Sequence, residues 1–125
     1  MIKLNVISRR NPRDLEAPVK FYATCKSTGS INLDELSEEI AMMSTVSTAD
    51  VYAVLISLTD LIPKSLRDGK IVELGKLGKF RVMVSSNPSD TAEEVSTANV
   101  KQLKLRFWPS KYLKEKVENF QLKKV

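Results

Sequence analysis

The run Gly69-Lys-Ile-Val-Glu-Leu-Gly-Lys-Leu-Gly-Lys-Phe-Arg-Val82 decides the fold of this chain. Its first part, from Ile71 to Leu74, favours a strand, and the two glycines of Gly75-Lys76-Leu77-Gly78 indicate a tight turn. From Phe80 to Val84 apolar and polar residues alternate, which predicts a second strand with one apolar face. The run therefore predicts two strands joined by a short turn.

Two helices are predicted on the N-terminal side of this run. The first begins at a capping box, Asn32-Leu33-Asp34-Glu35, and ends near Ser44. The second begins at Ser47-Thr48-Ala49-Asp50, with Gly69 as its C-terminal cap, and Pro63 is expected to bend or interrupt it. Apolar residues at helical spacing form one stripe on each helix: Leu33, Leu36, Ile40 and Met43, then Val51, Val54, Leu55, Leu58 and Ile62.

On the C-terminal side, a break at Ser85 to Asp90 is followed by a short helical turn capped by Thr91. The next strand is predicted from Val100 to Phe107, where Leu103, Leu105 and Phe107 alternate with polar residues. Pro109-Ser110 then begins a final helix with Leu113, Val117 and Phe120 on one face.

Two further strands are predicted at the N-terminus, over residues 2–8 and 20–26, and a proline-containing loop joins them. The predicted order is strand, strand, helix, helix, three strands, helix, which is a mixed α+β fold. We expect a single domain over residues 1–125, with residues 1–29 as an extension of a core at residues 30–120.

Composition excludes several classes of protein. The chain has 125 residues, no histidine and one cysteine, Cys25. Without histidine, most metal sites and the usual catalytic triads are excluded, and no other constellation indicates an enzyme. We therefore expect no catalytic residues, no metal and no cofactor. No apolar stretch is long enough to span a membrane, and a lone cysteine fits a reducing setting, so we expect a cytoplasmic protein with no membrane partner.

Charge is segregated along the sequence. Residues 1–29 carry six basic and two acidic side chains, and residues 101–125 carry eight and two. By contrast, residues 30–68 carry two basic and seven acidic side chains. Such segregation favours a surface that faces a polyanion, although charge that only maintains solubility would give the same totals.

The fold-deciding run, together with Leu105-Arg-Phe-Trp-Pro-Ser-Lys-Tyr-Leu-Lys114, resembles the HU and integration host factor family of histone-like bacterial DNA-binding proteins. The resemblance covers about residues 30–118. The whole chain is similar to longer Bacteroides-type variants with an N-terminal extension. This resemblance implies an intertwined dimer, in which two helix pairs form a base and a sheet saddle with two arms holds double-stranded DNA. Its cellular location would be the nucleoid.

The sequence departs from that family in the arm. Residues 85–100 contain no lysine or arginine but include Asp90, Glu93 and Glu94. The family's Arg-Asn-Pro arm tip has its only counterpart in Asn87 and Pro88, which are the candidate arm tip here. Pro88 is more typical of a plain turn proline than of a wedge between base pairs.

The alternation predicts which residues would bind DNA. If the apolar residues of the two long strands pack inward, Arg81, Lys104 and Arg106 lie together on the opposite face. Lys111 and Lys114 lie at the start of the last helix, and Lys111 matches the family's turn lysine. These five residues are the predicted phosphate contacts, which would give largely sequence-independent binding. Two alternatives stay open: an ordinary polar sheet face, and a dimeric protein-interaction module with weak or no DNA binding.

Overall fold

A computed structural model describes residues 1–125 and shows an α+β protein with three helices and two three-stranded sheets. The chain forms two compact units. The N-terminal unit consists of Met1–Asn32 and Lys116–Val125, and the central unit of Leu33–Glu115. The last residues of the chain thus belong to the same unit as the first.

The six strands are β1 (Ile2–Arg9), β2 (Lys20–Lys26), β3 (Val72–Glu73), β4 (Gly78–Ser86), β5 (Val100–Pro109) and β6 (Leu122–Lys124). In the N-terminal unit the strand order is β2-β1-β6, with β2 antiparallel and β6 parallel to β1. In the central unit the order is β3-β4-β5, and both pairs are antiparallel. The predicted strands at both places are confirmed, whereas β6 was not predicted.

The turn between β3 and β4 depends on glycine. Gly75 and Gly78 have φ angles of 57° and 142°, which other residues rarely adopt. A Cβ atom at Gly78 would also overlap the carbonyl oxygen of Trp108 and approach the Phe107 ring to 2.9 Å. Glycine therefore lets β4 and β5 begin their pairing here, and the Phe80 and Phe107 rings pack at a centroid distance of 4.9 Å.

The three helices are α1 (Leu33–Met42), α2 (Thr48–Arg67) and α3 (Lys111–Glu118). Ser47 caps α2 as predicted, accepting a hydrogen bond from the amide of Asp50 at 3.2 Å. Gly69 follows α2 with a φ of 81°, the left-handed conformation that ends many helices. Val51, which is 7% exposed, is the only apolar side chain that a single chain buries.

Some local predictions were wrong. Pro63 does not interrupt α2, which continues through it to Arg67; the interruption is therefore wrong, whereas a bend at Pro63 stays a prediction. Proline removes one backbone donor, but Ser65 and Leu66 beyond it are half-buried, so the packing of the last turn offsets this loss. The last helix ends at Glu118, so Phe120 lies outside it. A short 3-10 turn does form at Ala92–Glu94, but the Thr91 side chain makes no capping hydrogen bond.

Candidate nucleic-acid interface

The register of β4 and β5 brings the predicted sheet cations together. Arg81 lies directly opposite Arg106, and Lys104 lies opposite Met83, one pair further along the same face. Because directly paired residues point to the same side of a sheet, all three cations share one face. The apolar residues predicted to point inward share the other face: Phe80, Val82, Val84, Leu103, Leu105 and Phe107.

Lys79 belongs to the same face, although it was not among the predicted residues. It lies two residues before Arg81 and opposite Trp108, and its Nζ atom is 6.0 Å from the centroid of the Trp108 ring. The alternation that identified Arg81 applies equally to Lys79, so the signal was present. We call this surface the basic hairpin face; its members are Lys79, Arg81, Lys104, Arg106 and the half-buried Trp108.

The pair Arg81 and Arg106 is electrostatically unfavourable in the free chain. Like charges directly opposite each other on a sheet are destabilising. Both guanidinium groups are exposed, and neither forms an ion pair or side-chain hydrogen bond within the chain. The one acidic residue paired onto this face, Glu73, lies opposite Lys79 at the turn end of the hairpin. An anion placed between the two arginines would therefore relieve a repulsion that the fold leaves uncompensated.

The predicted helix cations lie just beyond the hairpin, on α3. Ser110 begins this helix: its hydroxyl accepts a hydrogen bond from the Leu113 amide at 3.1 Å and donates one to the Lys76 carbonyl. Lys111 is 90% exposed and lies 3.8 Å from Glu115, a surface ion pair of little energetic weight. Lys111 and Lys114 thus remain available to an external anion, but no cross-strand pairing joins them to the basic hairpin face.

The segment between β4 and β5 is a closed loop with internal hydrogen bonds. Asn87 donates its amide to the carbonyl of Asn99 at 2.7 Å, and the Asn99 side-chain amide donates to Ser89 at 2.8 Å. The backbone amide of Ser96 donates to the Asn99 side-chain oxygen at 2.8 Å. Asn87 and Pro88, the candidate arm tip, consequently lie at the base of the loop rather than at its far end. A DNA contact there stays a prediction.

The apolar side of the same hairpin is largely open in a single chain. Leu103 is 68% exposed, Leu105 60% and Phe107 45%. A sheet normally buries its apolar face against another layer, and no such layer covers this face within the chain.

Other kinds of site find no support in the side-chain arrangement. No group of three or more histidine, cysteine, aspartate or glutamate residues is placed to hold a metal ion. Cys25 is an exposed free thiol. None of the three helices is long and apolar enough to cross a membrane.

Comparison with known protein families gives a match over nearly the whole chain. A family model described as "HU domain fused to wHTH, Ig, or Glycine-rich motif" matches residues 1–124. The chain therefore belongs to this family of HU-type DNA-binding proteins, and the resemblance predicted from its motifs is confirmed.

A solved structure shares the fold. It is the crystal structure of a candidate bacterial DNA-binding protein from Bacteroides vulgatus ATCC 8482, with a TM-score of 0.69 and 12% sequence identity. The match covers 99% of this chain and 47% of that protein, so the chain spans about half of the other's length. No curated protein sequence matches the chain.

Proposed function

We propose that this protein is an architectural, largely sequence-independent binder of double-stranded DNA that works as a homodimer in the bacterial nucleoid. The basic hairpin face holds the phosphate backbone, and Lys111 and Lys114 add contacts from α3. Membership of an HU-type family supports DNA as the partner. No enzymatic step is part of this function.

One observation carries the proposal. Four cations lie on one face of a two-stranded hairpin, and two of them, Arg81 and Arg106, oppose each other without an acidic partner. Neighbouring strands are about 4.8 Å apart, and alternate residues along a strand are about 7 Å apart, so the cations form a compact lattice. A phosphate chain fits such a lattice because its charges repeat at similar short intervals. Contacts of this kind give affinity without reading the bases.

Surface area supports a dimer. The accessible surface of the chain is 10813 Å². A compact folded monomer of 14.1 kDa is expected to have an accessible surface of about 6,700 Å². Two separate globular bodies with the sizes of the two units would together have about 8,000 Å². The excess of about 2,800–4,100 Å² per chain is larger than one partner's half of a typical obligate interface, which buries about 2,000–5,000 Å² in total. The open apolar side of the hairpin supplies a surface for a second copy to cover.

A second candidate function rests on the loop between β4 and β5. Residues 87–99 have no basic side chain, and Asp90, Glu93 and Glu94 would repel phosphates. Because the loop is also closed by its own hydrogen bonds, this segment fits a contact with another protein better than an arm around DNA. Under this alternative the protein is a dimeric interaction module.

Charge reversal distinguishes the two functions. Replacing Arg81, Lys104 and Arg106 together by glutamate should weaken binding to duplex DNA strongly, as measured by fluorescence anisotropy at low salt. Circular dichroism would confirm that the variant stays folded. Undiminished DNA binding by the folded variant would refute the assignment of the basic hairpin face. A native protein that binds no DNA but captures one defined protein partner would favour the interaction module.

A further inference from the structure

The largest excess of positive charge lies outside the unit that carries the basic hairpin face. The N-terminal unit has nine basic and three acidic side chains, a net charge of +6, whereas the central unit has 11 and 12, a net charge of −1. The function proposed above uses residues of the central unit only. It therefore leaves the unit that carries the protein's net positive charge without a role.

Strand pairing places most of this charge on one face of the N-terminal sheet. Lys3 on the central strand β1 lies between Lys26 of β2 and Lys123 of β6, so three lysines form a row across the sheet. At the other end of the same face, Arg9 lies opposite Lys20. We call these five residues the N-terminal basic face. Asn5, Thr24, Ile7 and Tyr22 lie between the two groups of cations, and no acidic residue is paired onto the face.

The charges on this face repel one another in the free chain. Strand spacing sets the lysines of the row about 4.8 Å apart at their backbones, a distance at which like charges on a sheet destabilise it. All five cations are exposed, and none has an ion-pair partner within the chain. A bound polyanion would convert this repulsion into attraction.

The other side of the N-terminal sheet is mostly apolar, with Lys124 as its one charged residue. Ile2, Leu4 and Val6 of β1 share that side with Phe21 and Leu122. Within a single chain this side is largely open, since Phe21 is 71% exposed and Leu122 61%. All five cations of the N-terminal basic face are exposed too, so an external ligand can reach that face.

A cavity lies at the Arg9–Lys20 end of this face. Its lining includes three cations, Arg9, Arg10 and Lys20, together with Asn11 and Tyr22. The two acidic residues of the adjoining loop, Asp14 and Glu16, do not line it. Three positive groups with an amide and a phenol around one concave site provide the donors that a phosphate group requires.

We propose that the N-terminal basic face is a second binding surface for the backbone of duplex DNA, separate from the basic hairpin face. Lys3 and Arg9 are six residues apart on one strand, which sets the two cation groups about 20 Å apart. That length equals about six base-pair steps of duplex, so the two groups can meet one backbone at two places. A long face without acidic residues favours an extended, regular polyanion over a compact anion, and the cavity at its end accepts one of the phosphates.

The experiment measures how duplex affinity depends on salt for the full-length protein. The test variant replaces Lys3, Lys26 and Lys123 together by glutamine. If these lysines contact phosphates, the slope of log K against log salt should fall by about 2.7 for each chain bound, because each contact contributes about 0.9. Lys123→Glu and Lys124→Glu form a matched pair, since they are neighbours on β6 that lie on opposite faces of the sheet. The first should weaken binding several-fold more than the second.

A second triple variant, with Arg81, Lys104 and Arg106 replaced by glutamine, separates this inference from the proposed function. A loss of slope in both triple variants supports two surfaces. A loss only in the lysine variant supports the N-terminal basic face and overturns the assignment of the basic hairpin face. If the lysine variant binds DNA like the native protein, or if Lys123→Glu and Lys124→Glu act equally, the inference is wrong while the proposed function stands. A native protein that binds no duplex at low salt overturns both.

Discussion

Replacing Arg106 by glutamine tests the basic hairpin face with the least disturbance to the fold. Arg106 is exposed and has no partner within the chain, and it lies directly opposite Arg81. Removing one member of a like-charge pair should leave the free protein as stable as before, or more stable by a few tenths of a kcal/mol. Loss of DNA binding could then not be attributed to unfolding.

The size of the effect follows from the release of counterions. One phosphate contact contributes about 0.9 to the salt slope, so its loss costs about eightfold in affinity at 0.1 M salt. In a homodimer the substitution removes two contacts. The slope should then fall by about 1.8 and the affinity by about 60-fold at 0.1 M salt, so the measurement also reports whether one copy or two copies of Arg106 touch DNA.

The assay is fluorescence anisotropy of a labelled duplex over a series of salt concentrations, with a thermal melt of each protein. Lys64→Gln is the matched control, because it removes the same charge from an exposed position on α2, outside the sheet. An Arg106→Gln protein with the native slope, or a Lys64→Gln protein with an equal loss, would refute the assignment of the basic hairpin face.

Three further substitutions test the fold and its surfaces. Leu105→Glu places a charge on the open apolar side of the hairpin. Light scattering should therefore show loss of the dimer, or a thermal melt should show loss of folding. An unchanged molecular mass together with an unchanged melting temperature would contradict a partner on that side. Gly78→Ala should lower the free energy of unfolding by about 2–4 kcal/mol, because the added Cβ atom meets the Phe107 ring and the φ angle at residue 78 is positive. A urea titration that shows a change of less than about 1 kcal/mol would contradict this. Lys3→Glu places a negative charge between Lys26 and Lys123, so the free energy of unfolding of the free protein should rise by about 1 kcal/mol while DNA binding weakens. A lower melting temperature would show that the row of lysines is not repulsive.

Much of the central sheet could be predicted because its information is local. Alternation from Phe80 to Val84 and from Leu103 to Phe107 assigned the two faces of β4 and β5, and the observed register agrees. The same period would have added Lys79. Glycine and the serine cap of α2 also carried local signals that the structure confirms.

The N-terminal unit could be predicted only in part, because its third strand comes from the far end of the sequence. Leu122–Lys124 is a short and mostly basic segment with no strand period of its own. It becomes a strand by pairing in parallel with β1, and only this pairing places Lys123 beside Lys3. Nothing local in the sequence reports a contact between such distant segments. The row of three lysines could therefore not be predicted from local sequence patterns.

Pro63 shows a local rule whose outcome depends on context, since of the two effects predicted for it the interruption of the helix does not occur. Proline in a helix interior removes a donor and crowds the preceding turn. Here the helix continues for four more residues, and the half-buried Leu66 lies in the turn that follows. Packing of that turn outweighs the loss of the one backbone hydrogen bond that proline cannot donate.

The central claim is that this protein holds duplex DNA by its backbone, and one titration tests it most directly. The native protein is titrated onto two duplexes of unrelated sequence across a range of salt concentrations. We expect affinities within a few-fold of each other and equal, steep salt slopes for both duplexes, since phosphate contacts do not depend on base sequence. Absence of binding at low salt, or binding to one duplex that is 100-fold tighter and nearly independent of salt, would contradict it.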